Sequence, residues 1–182
     1  MEELVEQGCS EHTFERHVEV HEAGHAVAAL DNGIPFSHIA MYGDEGKPGE
    51  YGGLYTTAGE VIMLDSDPVA YVAPDPVAAA RFLFAGTCAE LALLGHGSPN
   101  AERADMLCWR AGVGLPTDVP VTEEDLDSRV GTSFAALGDE TGAWAQGMRA
   151  QNRISRLADH LGHLPRPSTT TYDQVVAIAD GG

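Results

Sequence analysis

The residues with most chemistry to offer are His21-Glu22-Ala23-Gly24-His25. On a helix, residues four apart project from one face, so His21 and His25 can both present an imidazole nitrogen to one ion about 2 Å away. Glu22 lies beside them without having to be a ligand. Zinc held there would lower the pKa of a bound water, and the carboxylate would take the proton and pass it to a leaving amine. That division of labour is what the H-E-x-x-H pattern requires of its residue types. Two exposed histidines on an amphipathic helix would give the same letters. The small Ala23-Gly24 pair, which admits a second backbone at close range, favours the metal.

A catalytic zinc takes three protein ligands and leaves one position for water. The third ligand has candidates in Asp105, Glu102, Glu90, His96 and His17. Asp105 and Glu102 are three apart on one expected helix and face roughly the same way, so spacing does not choose between them. His17 stands about 12 Å from His25 along a straight helix at 1.5 Å per residue, beyond the span of one ion; it is expected beside the site or on the surface. His12, His38, His160 and His163 have no metal-like spacing and are expected in solvated loops or at helix ends.

These groups need helices to hold them. The first is expected from about Thr13 to Asp31, capped by Thr13 and stopped by Asn32-Gly33 and Pro35. From Ile34 to Val72 short apolar pieces broken by Gly and Pro point to a small sheet, with Ile39-Ala40-Met41-Tyr42 and Gly53-Leu54-Tyr55-Thr56 as strands and a loop around Gly43 to Gly52. Asp75-Pro76 opens a helix from Val77 to Leu94 that is apolar on most sides and therefore central, with Ala85-Gly86 admitting a close neighbour. Ser98-Pro99 repeats the cap signal before a helix of about Asn100 to Ala111. Thr122 to Asp125 reads as a capping box for a helix to about Leu137. Another is expected from about Thr141 to Leu161, then a proline-threonine turn from Pro165 to Thr171 and a last helix from Tyr172 to Ala179. The fold class is mainly α with a small β-sheet, α+β, in one domain over 1–182 with its core at about 12–179.

Composition excludes several function classes. Against 28 acidic residues stand 10 basic ones, a formal charge of -18. Such a field repels phosphate backbones and anionic membranes, so neither nucleic acid nor membrane is an expected partner. Cys9, Cys88 and Cys108 are odd in number and widely spaced, which suits a reducing compartment. No apolar run is expected to reach the roughly 18 residues of a membrane span, and the acidic start Met1-Glu2-Glu3 lacks the order of a signal peptide. The expected location is cytoplasmic.

In order along the chain, His21-Glu22-Ala23-Gly24-His25-Ala26, Phe84-Ala85-Gly86-Thr87-Cys88-Ala89-Glu90 and an acidic residue in the following helix resemble the peptidase domain of the FtsH family of zinc proteases, the M41-like peptidases. The likeness runs from about His12 to Ala179. It implies a zincin-type helical domain with Zn2+ as cofactor and, as third ligand, the aspartate that follows the A-G-x-x-A-E segment, here Asp105. Glu90 and Glu102 then stand beside the ligands. Tyr51-Gly52-Gly53-Leu54-Tyr55 looks like the family's strand next to the active site, which implies Gly53, Leu54 and Tyr55 as substrate-binding residues that take a peptide as an added strand. The chain departs from the family at Ala104, where Asn is usual, at Thr87, where Arg is usual, and at Pro99-Asn100-Ala101. It carries no Gly-rich phosphate loop with Lys and Ser/Thr.

The implied function is zinc-dependent hydrolysis of flexible peptides or small amide substrates by Glu22, without an ATPase motor unless a separate partner supplies one. The alternatives are a zinc-containing peptide-binding or regulatory module without turnover, and a retuned metalloenzyme acting on a small metabolite. A monomer or small homo-oligomer is expected.

Overall fold

A computed structural model describes residues 11–42, 47–48, 56–57 and 59–181. The first helix, α1 (Glu11–Asn32), begins before the expected Thr13. It ends where the side chain of Asn32 donates to the Ala28 carbonyl at 2.8 Å. Gly33 then adopts a left-handed φ of 67°, which returns the Ile34 N–H to the Ala29 carbonyl. From Glu19 to Ala29 every residue of α1 is buried, so this helix is enclosed and not a surface amphipathic one.

The chain then forms β1 (Phe36–Met41), β2 (Lys47–Pro48), β3 (Thr56–Thr57) and β4 (Gly59–Met63). β1 is the centre of a three-stranded antiparallel sheet, between β4 and a late strand, β5 (Ser168–Thr171). In register, Ile39 lies opposite both Val61 and Thr170. Neither β4 nor β5 was expected; the Pro165 to Thr171 segment, read as a turn, ends in the strand that completes the sheet. Periodicity over four polar residues, Ser168 to Thr171, cannot reveal pairing with a strand far away in sequence. β2 and β3 pair in a separate ladder, so the expected loop around Gly43 to Gly52 contains one short strand, β2, whose partner β3 begins at Thr56, the last residue of the expected strand Gly53 to Thr56. The expected strand residues Gly53, Leu54 and Tyr55 lie outside the described residues.

A short helix, α2 (Pro68–Val72), precedes α3 (Pro76–Leu94). Asp75 caps α3 by accepting from the Ala78 N–H, and Gly95 closes it with a left-handed φ of 84°. α3 is the one helix among the described residues long and apolar enough, by length and composition, to cross a membrane, against the expectation that no run would reach that length. Here it is the central helix: α1, α4 (Pro99–Gly112) and α6 (Phe134–Gln146) all pack on it. Its residues enter both apolar clusters of the core. One cluster joins α1, the sheet, α7 (Met148–His163) and α8 (Tyr172–Asp180); the other joins α2 to α6 around Trp109 and Phe134.

Two expected helices are each cut by glycine. The capping box of Thr122 and Asp125 forms, but α5 (Glu123–Val130) stops at Gly131 in the left-handed region, and Ser133 caps α6 anew. The run expected from Thr141 to Leu161 belongs to two helices meeting at Gly147, whose ψ of 136° leaves the helical region. A tertiary clamp accounts for that corner. Trp144 from α6 and Arg153 from α7 both donate to the Asp31 carboxylate at the end of α1.

Candidate metal centre

His21 and His25 occupy one face of α1, and that face meets α3 across two glycines. A side-chain carbon on Gly24 would fall 2.6 Å from the Ala85 carbonyl oxygen. One on Gly86 would fall 2.5 Å from His21 Cε1 and 2.6 Å from both His21 Nε2 and His25 Nε2. Both close approaches match what the small residues implied. What the sequence did not reveal is that Gly86 touches the imidazoles themselves, so its missing side chain is the space in which they converge.

α4 supplies the third group. Asp105 Oδ2 lies 3.2 Å from His21 Nε2 and 3.2 Å from His25 Nε2, and the two imidazole nitrogens are 2.9 Å apart. A tetrahedral zinc with bonds of 2.0–2.1 Å holds its ligand atoms about 3.3 Å from one another. The triangle is therefore close to one face of such a tetrahedron. Among the described residues these three form the group able to hold a metal ion. The imidazoles are buried, with side chains 7% and 5% exposed, while Asp105 is 25% exposed, so the cluster meets solvent on the Asp105 side.

The outer nitrogen of His25 is held as a metal site needs, whereas that of His21 faces a carboxylate without a hydrogen bond. His25 Nδ1 lies 2.7 Å from the Phe82 carbonyl oxygen; because a carbonyl only accepts, Nδ1 carries the proton and Nε2 keeps its lone pair for the cluster. This partner is backbone, which no residue type announces. Glu90 Oε1 lies 3.7 Å from His21 Nδ1 and 3.2 Å from His17 Nδ1. These are ion-pair distances and not aligned hydrogen bonds. Glu90 Oε2 accepts the Ser98 N–H at 2.6 Å. Ser98 was expected as a side-chain cap; its hydroxyl makes no cap bond, and its N–H serves Glu90 instead.

Electrostatics follow the geometry. Burial alone would lower the His21 pKa, but Asp105 and then Glu90 outweigh it and raise it well above the ordinary value. Burial would raise Asp105, yet His25 and His21 hold it down at about 2. Glu90 is likewise held at about 2 by His17 and His21 against the effect of burial. Glu22 goes the other way: burial raises it, with the two histidines opposing only in part. Its methylene is pinned by β4, since a side-chain carbon on Gly59 would fall 2.7 Å from Glu22 Cγ.

The remaining candidates separate from the cluster. Glu102 is exposed in the first turn of α4; its charge adds to burial in pushing the Cys88 thiol up to about 11. His17 is buried, not on the surface, and stacks at 4.5 Å on the exposed His96. His38 lies within β1, and His160 and His163 sit in the last turn of α7. Gly53, Leu54 and Tyr55 lie outside the described residues. Comparison with protein-family models, curated proteins and solved structures finds no match for this chain.

Proposed function

We propose that this chain is a zinc-dependent metallopeptidase or amide hydrolase of zincin type, acting on flexible peptides or small amide substrates. One observation carries the reading: His21 Nε2, His25 Nε2 and Asp105 Oδ2 meet within 2.9–3.2 Å of one another, with Glu22 between the two histidines in sequence. Those three residues would hold zinc, which when bound supplies Lewis-acid polarisation and a water of lowered pKa. Two neutral imidazoles and one carboxylate make a donor set usual for that ion.

The residues of the chain do the rest. The Phe82 carbonyl keeps His25 in the tautomer that turns Nε2 inward. Gly86 leaves the room in which the nitrogens meet. Glu22, raised above the usual carboxylate range by burial, is a stronger base than a solvated glutamate. It takes a proton from the water that adds to the amide carbon and delivers it to the amine nitrogen as the C–N bond breaks. Glu90 stands behind His21 and steadies it from the outer side.

The reading is tested by metal analysis together with one variant. Protein purified without chelator should carry about one zinc per chain, and Glu22→Gln should keep that zinc while losing about 10²- to 10⁴-fold in hydrolysis of unstructured peptides. Zinc far below one per chain, or a fully active Glu22→Gln, would sink the proposal. Tight binding of such peptides without cleavage by the wild type would point to a peptide-binding module.

A further inference from the structure

We infer that His17 is a positioning residue of this metal centre, acting on His21 through the Glu90 carboxylate that both imidazoles face. The inference rests on the proposed zinc site and adds to it a residue lying outside the H-E-x-x-H pattern. Glu90 is 1% exposed, and a carboxylate so deeply buried needs a partner for each oxygen. Oε2 has the Ser98 N–H at 2.6 Å. Oε1 faces the two imidazoles at ion-pair distance without an aligned hydrogen bond, and the nearer is His17, at 3.2 Å against 3.7 Å for His21. His17 and His21 are one helical turn apart on α1, so their Nδ1 atoms converge on that oxygen from the same side.

The surroundings hold this arrangement as one packed unit. The turn from Gly95 to Ser98 closes over Glu90: His96 stacks on His17 with ring planes 28° apart. A side-chain carbon on Gly97 would fall 2.8 Å from Thr87 Cγ2 and 3.5 Å from Glu90 Oε2. His17 itself is 1% exposed, a place where an imidazole is costly to keep unless it serves a buried partner. Without it, Oε1 is left with the more distant contact to His21 and a void beside it. The carboxylate can then move off, and the aim of His21 Nε2 at the cluster loosens.

The test is zinc affinity, measured by chelator competition, with the visible absorption of the cobalt-substituted protein as a report on ligand geometry. His17→Leu should weaken zinc about 10- to 100-fold, the usual effect of removing a residue that orients a ligand. His17→Asn, whose amide nitrogen can stand where Nδ1 stands, should stay within about threefold of the wild type and keep its cobalt spectrum. Because His17 acts through Glu90, adding His17→Leu to Glu90→Gln should cost little further. Should His17→Leu fail to fold, His17→Gln, which moves the amide nitrogen away from the Nδ1 position, takes its place with the same expected loss. Zinc binding by His17→Leu or His17→Gln within about twofold of the wild type overturns the role of His17 alone, as does an equal loss in His17→Asn. A wild-type protein that binds no zinc overturns this inference and the proposed function together.

Discussion

Each imidazole of the cluster has two nitrogens, and only one can face an ion, so the atoms behind the rings matter as much as those in front. Phe82 and Glu90 stand behind His25 and His21 respectively. In the metal-free protein Asp105 and Glu90 raise the His21 pKa against the effect of burial, and this sets a pH dependence. His21 is raised above its ordinary 6.5, so its contribution to stability is complete below 6.5 and lost as pH rises through the raised value. Asp105 is lowered from 3.8 to about 2, so its contribution is complete above 3.8 and lost as pH falls toward 2. Urea unfolding of metal-free wild type and Asp105→Asn should therefore differ most between about pH 4 and 6.5 and converge on either side. Zinc competes with the His21 proton, so in its presence the wild-type advantage should grow with rising pH. A difference that ignores pH in the metal-free proteins would show that the His21–Asp105 pair is not formed.

At the scale of elements, the site depends on how closely α1 and α3 approach. Gly24 and Gly86 make that approach possible, and Gly86 also borders the ligand nitrogens. Gly86→Ala should abolish stoichiometric zinc binding while leaving the helical circular dichroism intact, because its side-chain carbon must displace both imidazoles. Gly142→Ala provides the contrast: its nearest neighbour would be Cys88 Sγ at 4.0 Å, and within a helix the change should raise stability by up to about 1 kcal/mol with zinc binding unchanged. Equal zinc occupancy in Gly86→Ala and wild type would remove Gly86 from the site. Caps and breakers made α1 and α3 legible in the chain, since Gly33, Asp75 and Gly95 act on residues beside them. The corner at Gly147 was not legible, because the Asp31 carboxylate that ties Trp144 and Arg153 together comes from a distant helix.

Over the whole molecule, the centre lies where α1, α3 and α4 meet, and α3 is common to both apolar clusters. Arg153 ties α7 to Asp31 of α1 and to Asp180 at the end of α8. Loosening the packing far from the site should therefore lower stability without altering the ligands. Leu157, fully buried in α7, is a suitable probe: Leu157→Ala should cost about 2–5 kcal/mol in denaturant unfolding while zinc stoichiometry at low temperature stays at the wild-type value. A cost below about 1 kcal/mol would mean that this cluster does not carry the fold.

The spacing of His21, Glu22 and His25 follows from the helical repeat alone, and so do the small residues that let a second helix come near. These are relations between near neighbours, and the backbone period settles them wherever the helix is placed. The choice of Asp105 over Glu102 is different: from the residues alone it stayed open, and the family likeness pointed to Asp105. The structure brings Asp105 into the cluster across 80 residues of chain and leaves Glu102 exposed on the same helix. The burial of His17 against Glu90 and the backbone partner of His25 are of the same kind. Only packing decides them, because which side of a helix faces inward depends on the helices it meets.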